Sequence, residues 1–325
     1  MSSTQTHQNP ACPVCACKLT VKKGMRRNRL QTLQVFRCTE CLHRFTGAAG
    51  KNKTYPLRLI LETVSTFNLG YSLTETQRFM RRRYHREIPE RTISSWLNEY
   101  RPLSTYSRLR LAGRKLFRPD ILIRSHTFHH QQVYRFQLHR AKLELLTQRT
   151  AQSRAHNFAD IASLKRYLAS IETHFPHHLF QDTGHRSSKF PAELNPPITR
   201  KENHATRTAV LVLPTSPNNK KRHETLQRFM LINDSVTIAV GVPVFLTKDD
   251  VRYHRSRGFD IEFDSAMITR HIDFLQIRNG HIHILDYKPE ARKESTRARA
   301  TDDLRPRSCP KNRTAFEVLQ VRLVR

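Results

Sequence analysis

Acidic residues are the main shortage in this chain. Its 325 residues hold 27 Asp and Glu against 57 Lys and Arg, a formal net charge of +30. So little negative charge leaves a polyanion as the natural partner, with nucleic acid far ahead of a membrane surface. Long apolar runs are missing too. None approaches the roughly 18 residues of a membrane span, so a transmembrane helix is excluded and no membrane partner is expected. The amino terminus is polar and lacks the apolar stretch of a signal peptide. On these grounds a cytoplasmic location is expected, where thiols stay reduced. Apolar content, at 38%, is low for a globular protein. Yet the apolar stretches 231–246 and 272–287 can supply a core, and the length suggests two or three domains.

In a reducing compartment, paired CxxC reads as metal binding rather than disulfide. Cys12-Pro13-Val14-Cys15 and Cys38-Thr39-Glu40-Cys41 form such a pair, separated by 22 residues. Four thiolates suit tetrahedral Zn²⁺, and the spacing allows two knuckles on a short β-ribbon over 10–50. Phe36 and Phe45 flank the second knuckle, as a small zinc-stapled core needs. The zinc is structural in this reading. Cys17 is a spare thiol that can compete as a ligand. Lys22, Lys23, Arg26, Arg27 and Arg29 decorate the ribbon and suit phosphate contact.

Residues 54–104 read as three helices. Pro56 starts the first, with Leu57, Ile60, Leu61 and Val64 at helical spacing, and Gly70 ends it. Ser72 or Thr74 caps the second, which turns Thr76, Phe79 and Met80 inward. Pro89 opens the third, with Ile93, Trp96 and Leu97 as the buried stripe. The short turn before it fits a helix-turn-helix, with Arg91, Thr92, Ser95 and Asn98 facing a groove. Residues 76–118 contain twelve Lys and Arg against three Glu, Arg81, Arg82 and Arg83 among them. Such charge around a helix-turn-helix favours double-stranded DNA. A zinc ribbon followed by a helix-turn-helix resembles the DNA-binding front end of bacterial and archaeal insertion-sequence transposases, over about residues 10–105.

Residues 105–195 are helix-prone, basic and His-rich, and read as a helical linker region. Leu138, Leu143, Leu145 and Leu146 suggest one helix, and Ile161, Leu164, Leu168 and Ile171 another. The histidines at 126, 129 and 130, and at 174, 177 and 178, read as surface histidines. Pro191, Pro196 and Pro197 mark a boundary before a last domain at 198–294. That domain reads as mixed α/β: a helix around His223, Glu224, Leu226, Gln227 and Met230, a strand at 236–246, and a capping box from Thr247 to Asp250.

A hairpin follows. Asn279-Gly280 between two apolar runs is the strongest short signal for a two-residue turn. It pairs Arg278 with His281, Ile277 with Ile282, Leu275 with Ile284 and Asp273 with Asp286. By strict alternation these share one face, which Lys288 joins. Carboxylates directly opposite lie roughly 4.5–5.5 Å apart at Cβ, a repulsive arrangement that a divalent cation reverses. Asp273, the hairpin and Asp286-Tyr287-Lys288 resemble the PD-(D/E)XK nuclease superfamily. The resemblance implies that Asp273 and Asp286 bind Mg²⁺ or Mn²⁺ and that Lys288 orients water or stabilises developing charge. Its RecB type adds an acidic or His residue on an upstream helix, for which Glu224 or His223 is best placed, with Glu262 behind them. It also carries Gln-x-x-x-Tyr on a helix after the Asp-x-Lys strand, which this chain lacks.

After Glu294 the sequence turns Arg-rich and aperiodic. Displaced by one nucleotide from Ala300/Thr301, the permitted codons include an apolar helix opening with Gln-x-x-x-Tyr, so 295–325 reads as a frameshifted tail. The reading as a whole is a multidomain α+β protein: zinc ribbon, three-helix helix-turn-helix, helical linker and an incomplete restriction-endonuclease-like α/β core. It is expected to bind duplex DNA, with a second copy of the chain as a partner. The function expected is metal-dependent endonuclease action linked to a mobile element. The other reading is a non-enzymatic transposon-derived DNA-binding protein or inactive relic. Asp273 and Asp286 are too close in sequence to be two carboxylates of a DDE transposase.

Overall fold

The computed structural model describes residues 9–27, 32–46, 53–130, 132–152, 158–181, 203–218, 221–256, 267–288 and 315–320. The chain is α+β, and every pair of neighbouring strands among these residues is antiparallel. The first sheet is small: β1 (Thr20–Arg27), β2 (Thr32–Cys38) and β3 (Arg44–Thr46), in that order. Among the described residues its core is Cys12, Phe36, Cys38 and Phe45, with Cys17 packed against them, too little apolar area to hold a fold without a covalent or metal staple.

Three helices come next: α1 (Leu57–Asn68), α2 (Leu73–Tyr84) and α3 (Glu90–Glu99). The N-terminus of α2 is a full capping box. Ser72 accepts from the Glu75 amide, and the Glu75 side chain accepts from the Ser72 amide. Its C-terminus stops at His85, whose φ of 50° is left-handed. Gln77 then donates to the Ile88 carbonyl at 2.9 Å, tying α2 to the start of α3. Thr76, Met80, Ile93 and Trp96 are buried. Phe79 is 41% exposed rather than inward, because it follows the wrong helical phase; its ring stacks on Tyr71 instead. A short helix, α4 (Arg110–Leu116), sends the buried Arg110 back to the end of α1, where it donates to the carbonyls of Phe67 and Tyr71.

The second sheet has six strands in sequence order: β4 (Ile123–His130), β5 (Gln132–His139), β6 (Thr237–Thr247), β7 (Met267–Arg278), β8 (His281–Lys288) and β9 (Ala315–Gln320). Thus 123–139 is a β-hairpin, not part of a helical linker, and Leu138 belongs to β5. His126 and Phe136 pair across it, and polar residues outnumber apolar ones over the two strands, so neither shows a plain apolar run. Helices do follow at α5 (Arg140–Gln152) and α6 (Phe158–Ser170), the second carrying the expected Ile161, Leu164 and Leu168. Then come α7 (His204–Val212), α8 (Arg222–Asn233) and α9 (Lys248–Ser256). Within the tail, Ala315–Gln320 forms β9 against β8; the displaced-frame reading of 295–314 and 321–325 lies outside the described residues, as do Glu262 and the prolines at 191, 196 and 197.

Apolar clusters cover the sheet on both faces. On one, Val240, Phe274, Leu285 and Tyr287 share a core with Leu226, Phe229 and Met230 of α8 and with Ile60, Val64, Ile93 and Trp96 of the three-helix unit. On the other, Leu138, Ala239, Val242, Leu275, Ile277 and Ile282 pack with Ile161, Leu164 and Leu168 of α6. The three-helix unit therefore shares a core with the sheet. Asn68 and Asn233 seal that contact, with Asn68 donating to Asn233 at 2.8 Å and Asn233 donating to Ser65 at 2.8 Å.

Lys142 of α5 is fully buried. Its Nζ donates to the carbonyls of Leu231 at 2.5 Å and Thr237 at 3.1 Å, and lies 4.9 Å from the Tyr106 ring centre. Burial pulls its ammonium down to about 7, against a modest upward effect of Asp234. His139 beside it is also wholly buried, and burial and then Lys142 hold its imidazole well below the ordinary range.

Candidate functional site

The cysteine knuckles are built alike. After Cys15 comes Ala16 with φ 58°, and after Cys41 comes Leu42 with φ 57°. The Cys12 amide donates to the Cys17 carbonyl at 2.8 Å, and the Cys38 amide donates to the His43 carbonyl at 3.0 Å. Each loop thus curls its two thiols toward the other loop. Cys12 and Cys41 sulfurs are 3.4 Å apart, Cys15 and Cys38 3.5 Å, and all four lie within 4.8 Å of one another. Thiolates around a tetrahedral Zn²⁺ with bonds of about 2.3 Å are close to this spacing, at about 3.8 Å between sulfurs. Burial pushes the Cys38 thiol up, but the amides of Cys41 and Glu40 outweigh it and hold it at about 6. Cys17 is outside the cluster, its sulfur turned to the Leu19 backbone. The donor set fits a structural zinc.

The Asn279-Gly280 turn has φ values of 49° and 77°, the left-handed pair that a two-residue hairpin needs. Arg278 pairs with His281, Ile277 with Ile282 and Leu275 with Ile284, as the turn dictates. The β7–β8 ladder runs on to Phe274 and Leu285 and goes no further. Beyond it, Asp286, Tyr287 and Lys288 pair with Glu317, Phe316 and Ala315 of β9, while β7 continues along β6. Asp273 sits at this fork. Its side chain replaces the missing backbone partner, with Oδ2 accepting from the Tyr287 amide at 2.8 Å.

Strict alternation fails at Asp273. It lies across from Gly241, between the pairs Val240–Phe274 and Val242–Ile272. Val240 packs in one core and Val242 in the other, so β6 resets its facing at Gly241, where φ is 61°. In consequence Asp273 does not follow Leu275 and Ile277 toward α6. It meets α8, where His223 Nε2 stands 2.7 Å from Asp273 Oδ1 and Gln227 donates to the Asp273 carbonyl at 3.2 Å. The His223 approach is oblique, so its buried Nε2 makes no well-directed hydrogen bond. Burial would lower His223, but Asp273 and then Asp286 outweigh it and hold the imidazole above its ordinary range. Both aspartates therefore act on one ring. Asp286 also pairs with Arg270, Nη2 to Oδ2 at 3.0 Å, and is 18% exposed.

Glu224 is not brought to this group. One residue on from His223, it turns about 100° around the helix and pairs with Arg135 of β5 at 3.2 Å. Lys288 stands two residues beyond Asp286 on β8. Three contributors were not read from sequence: Arg270, Gln227 and the Tyr287 amide. Gln227 lies four residues after His223, a spacing that puts both on one helix face.

On α3, Arg91, Ser95 and Asn98 are exposed and Thr92 half-buried, on the side away from Ile93 and Trp96. Arg81, Arg82 and Arg83 are exposed at the end of α2. Arg83 is tied to the fold by Glu62 Oε1 at 2.5 Å, and the other carboxylate oxygen of Glu62 accepts from the Tyr84 hydroxyl. Among the described residues no helix is long and apolar enough to cross a membrane. No family model matches this chain, and no curated protein or solved structure is significantly similar to it.

Proposed function

We propose that this chain binds double-stranded DNA through its cysteine ribbon and three-helix unit and hydrolyses phosphodiesters at Asp273 and Asp286 with Mg²⁺ or Mn²⁺. Its setting is a mobile element, and the reading keeps the PD-(D/E)XK resemblance. The observation that carries it is the fork: Asp273 is clamped where the β7–β8 ladder opens, with the Tyr287 amide on one oxygen and His223 beside the other. Carboxylates supply the hard oxygen ligands that such a cation takes. When bound, such a cation neutralises the scissile phosphate and acidifies a water. The protein's own part is positioning. Tyr287 and Gln227 fix Asp273 from two sides, and His223 holds its proton against both aspartates. Lys288 follows on the same strand to stabilise developing charge. Arg91, Thr92, Ser95 and Asn98 face the duplex, while Arg81 and Arg82 add sequence-independent phosphate attraction.

A second reading is a non-enzymatic DNA-binding protein. It is favoured by Asp286 already holding a counterion in Arg270. Nicking of supercoiled plasmid with Mg²⁺ or Mn²⁺ separates the two. The 325-residue chain and a chain with its frame restored after Glu294 are assayed side by side, the second expected to be the more active. Asp286→Asn is expected to abolish cleavage and spare DNA binding. DNA binding with no cleavage by either chain favours the second reading, and cleavage that survives Asp286→Asn overturns the site assignment.

A further inference from the structure

Directly after the three-helix unit, residues 101–120 carry Arg101, Arg108, Arg110, Arg114, Lys115 and Arg118 against a single acid, Asp120. Two of these cations are spent inside the fold. Arg118 pairs with Asp120 at 2.6 Å. Arg110 is buried and pins α4 to the turn between α1 and α2. Its Nε donates to the Phe67 carbonyl at 2.7 Å, its Nη2 donates to the Tyr71 carbonyl at 2.6 Å, and its guanidinium lies 3.7 Å from the Phe67 ring centre. Burial and then Arg114 pull it down to about 10, so it keeps its charge at neutral pH. Elsewhere on α4, Gly113 faces Ala141 of α5 so closely that an added Cβ would meet the Ala141 methyl at 3.3 Å. The helix is thus wedged between the three-helix unit and α5.

That wedge brings the exposed cations of α4 up to α2. The Arg114 stem lies against Gly70, where an added Cβ would meet Arg114 Cγ at 3.3 Å. The Ser72 amide and then its hydroxyl hold the Glu75 carboxyl below its ordinary range, and Arg114 of α4 and Arg78 of α2 both add to the effect. Two arginines from different helices therefore stand near one carboxylate. Glu75, Arg78 and Arg82 follow helical spacing on one face of α2, and both arginines are exposed. Lys115 is exposed next to Arg114. A basic strip results, from Arg82 through Arg78 to Arg114 and Lys115, with the partly exposed Phe79 stacked on Tyr71 along it.

We propose that Arg78, Arg114 and Lys115 extend the DNA-contacting surface beyond the three-helix unit and hold the phosphate backbone of the same duplex. The inference rests on the DNA-binding reading and is independent of the aspartates. Guanidinium and ammonium groups in a row match the spaced charges of a nucleic-acid backbone. Glu75 subtracts only one charge, and its carboxylate already accepts from the Ser72 amide. A duplex fits better than a single strand, because Tyr71 already stacks on Phe79 and leaves it a poor platform for a base. Contacts to phosphate position the protein without reading sequence, so the strip adds the same affinity on every sequence.

The test is a fluorescence-anisotropy titration of the full chain against a short labelled duplex of arbitrary sequence, repeated over a salt series. Wild type, Arg78→Gln and the pair Arg114→Gln/Lys115→Gln are compared with a control pair, Arg149→Gln/Arg166→Gln. Arg149 and Arg166 are exposed on α5 and α6, whose Leu143, Leu164 and Leu168 pack in the core on the other face of the sheet, so the control removes the same charge elsewhere. Thermal melting confirms that each variant is folded. The Arg114/Lys115 pair is expected to make the salt dependence shallower by about 2 and to lose roughly ten- to sixtyfold in affinity at about 0.1 M salt, with Arg78→Gln making it shallower by about 1. The control pair is expected within about twofold of wild type, since screening confines distant charges. Equal losses in the two pairs would reduce the strip to general charge and overturn the proposal. Wild-type binding that the Arg114/Lys115 pair leaves unchanged also overturns it, and the DNA-binding reading stands. A single strand of the same length bound more tightly than the duplex overturns the choice of partner. If wild type binds no DNA, strip and reading fall together.

Discussion

Lys142→Met isolates a pH effect built into the core. The wild-type ammonium sits in the core at about 7, against 10.5 in the unfolded chain. The sign follows from the proton count. Between those two values the unfolded chain holds a proton that the folded chain has lost, so stability rises with pH there. Below about 7 both states are protonated and the full penalty of burying the charge is present; above 10.5 it has gone. The gap corresponds to at most about 5 kcal/mol, or about 1.4 kcal/mol for each pH unit. His139, held neutral by burial, adds a rise in the same direction as pH climbs toward 6.5. Methionine removes the charge and keeps the bulk. It also strips a donor from the Leu231 and Thr237 carbonyls, which costs about 1–3 kcal/mol each. The variant is therefore expected within about 2 kcal/mol of wild type at pH 7 and about 3 kcal/mol behind it at pH 9.5. Urea unfolding followed by fluorescence reads this directly, because the single tryptophan, Trp96, is buried in the core that also holds Leu231. Parallel stability curves for the two proteins above pH 7 would refute the reasoning.

Cys38→Ser is expected to remove zinc from the protein, measured as one Zn²⁺ per wild-type chain by atomic absorption and none in the variant; a ribbon that stays ordered after complete chelation would count against the staple. Gly241→Ala is expected to destabilise by at least about 2 kcal/mol, since φ there is 61° and an added Cβ would strike the Arg135 carbonyl; a melting temperature equal to wild type would show that β6 needs no glycine. In shift assays, Asn98→Ala and Arg91→Ala are expected to weaken sequence preference. Joint loss of Arg81 and Arg82 is expected to weaken binding to all DNA and to flatten its salt dependence, and salt-insensitive wild-type binding would contradict the electrostatic account.

Local chemistry made much of this fold legible. A two-residue turn admits one register, so Asn279-Gly280 dictated the β7–β8 pairs down to Leu275–Ile284. Side-chain caps need fixed spacings, so Ser72 with Glu75 and Thr247 with Asp250 marked two helix starts. Four thiols in two CxxC pairs met because each knuckle closes on itself. What escaped was set at long range. The hairpin at 123–139 has few apolar residues, since its partner β6 and the α6 layer lie far along the chain and supply its core. The facing of Asp273 depends on Gly241 of another strand, so no alternation rule applied to β7 alone could find it. The choice of His223 over Glu224 turned on one step of helix phase.

The core that joins Ile60 and Trp96 to Phe274 and Leu285 has a consequence for synthesis. The three helices leave the ribosome more than a hundred residues before α8 and the β7–β8 hairpin that complete their cover. Until then, Leu57, Ile60, Leu61 and Val64 face water on the side that the later segments bury. Contacts so distant in sequence form slowly, and an uncovered apolar stripe is open to wrong partners in the interval. Any chain that stops short of the hairpin leaves uncovered the side of that stripe which the later segments bury.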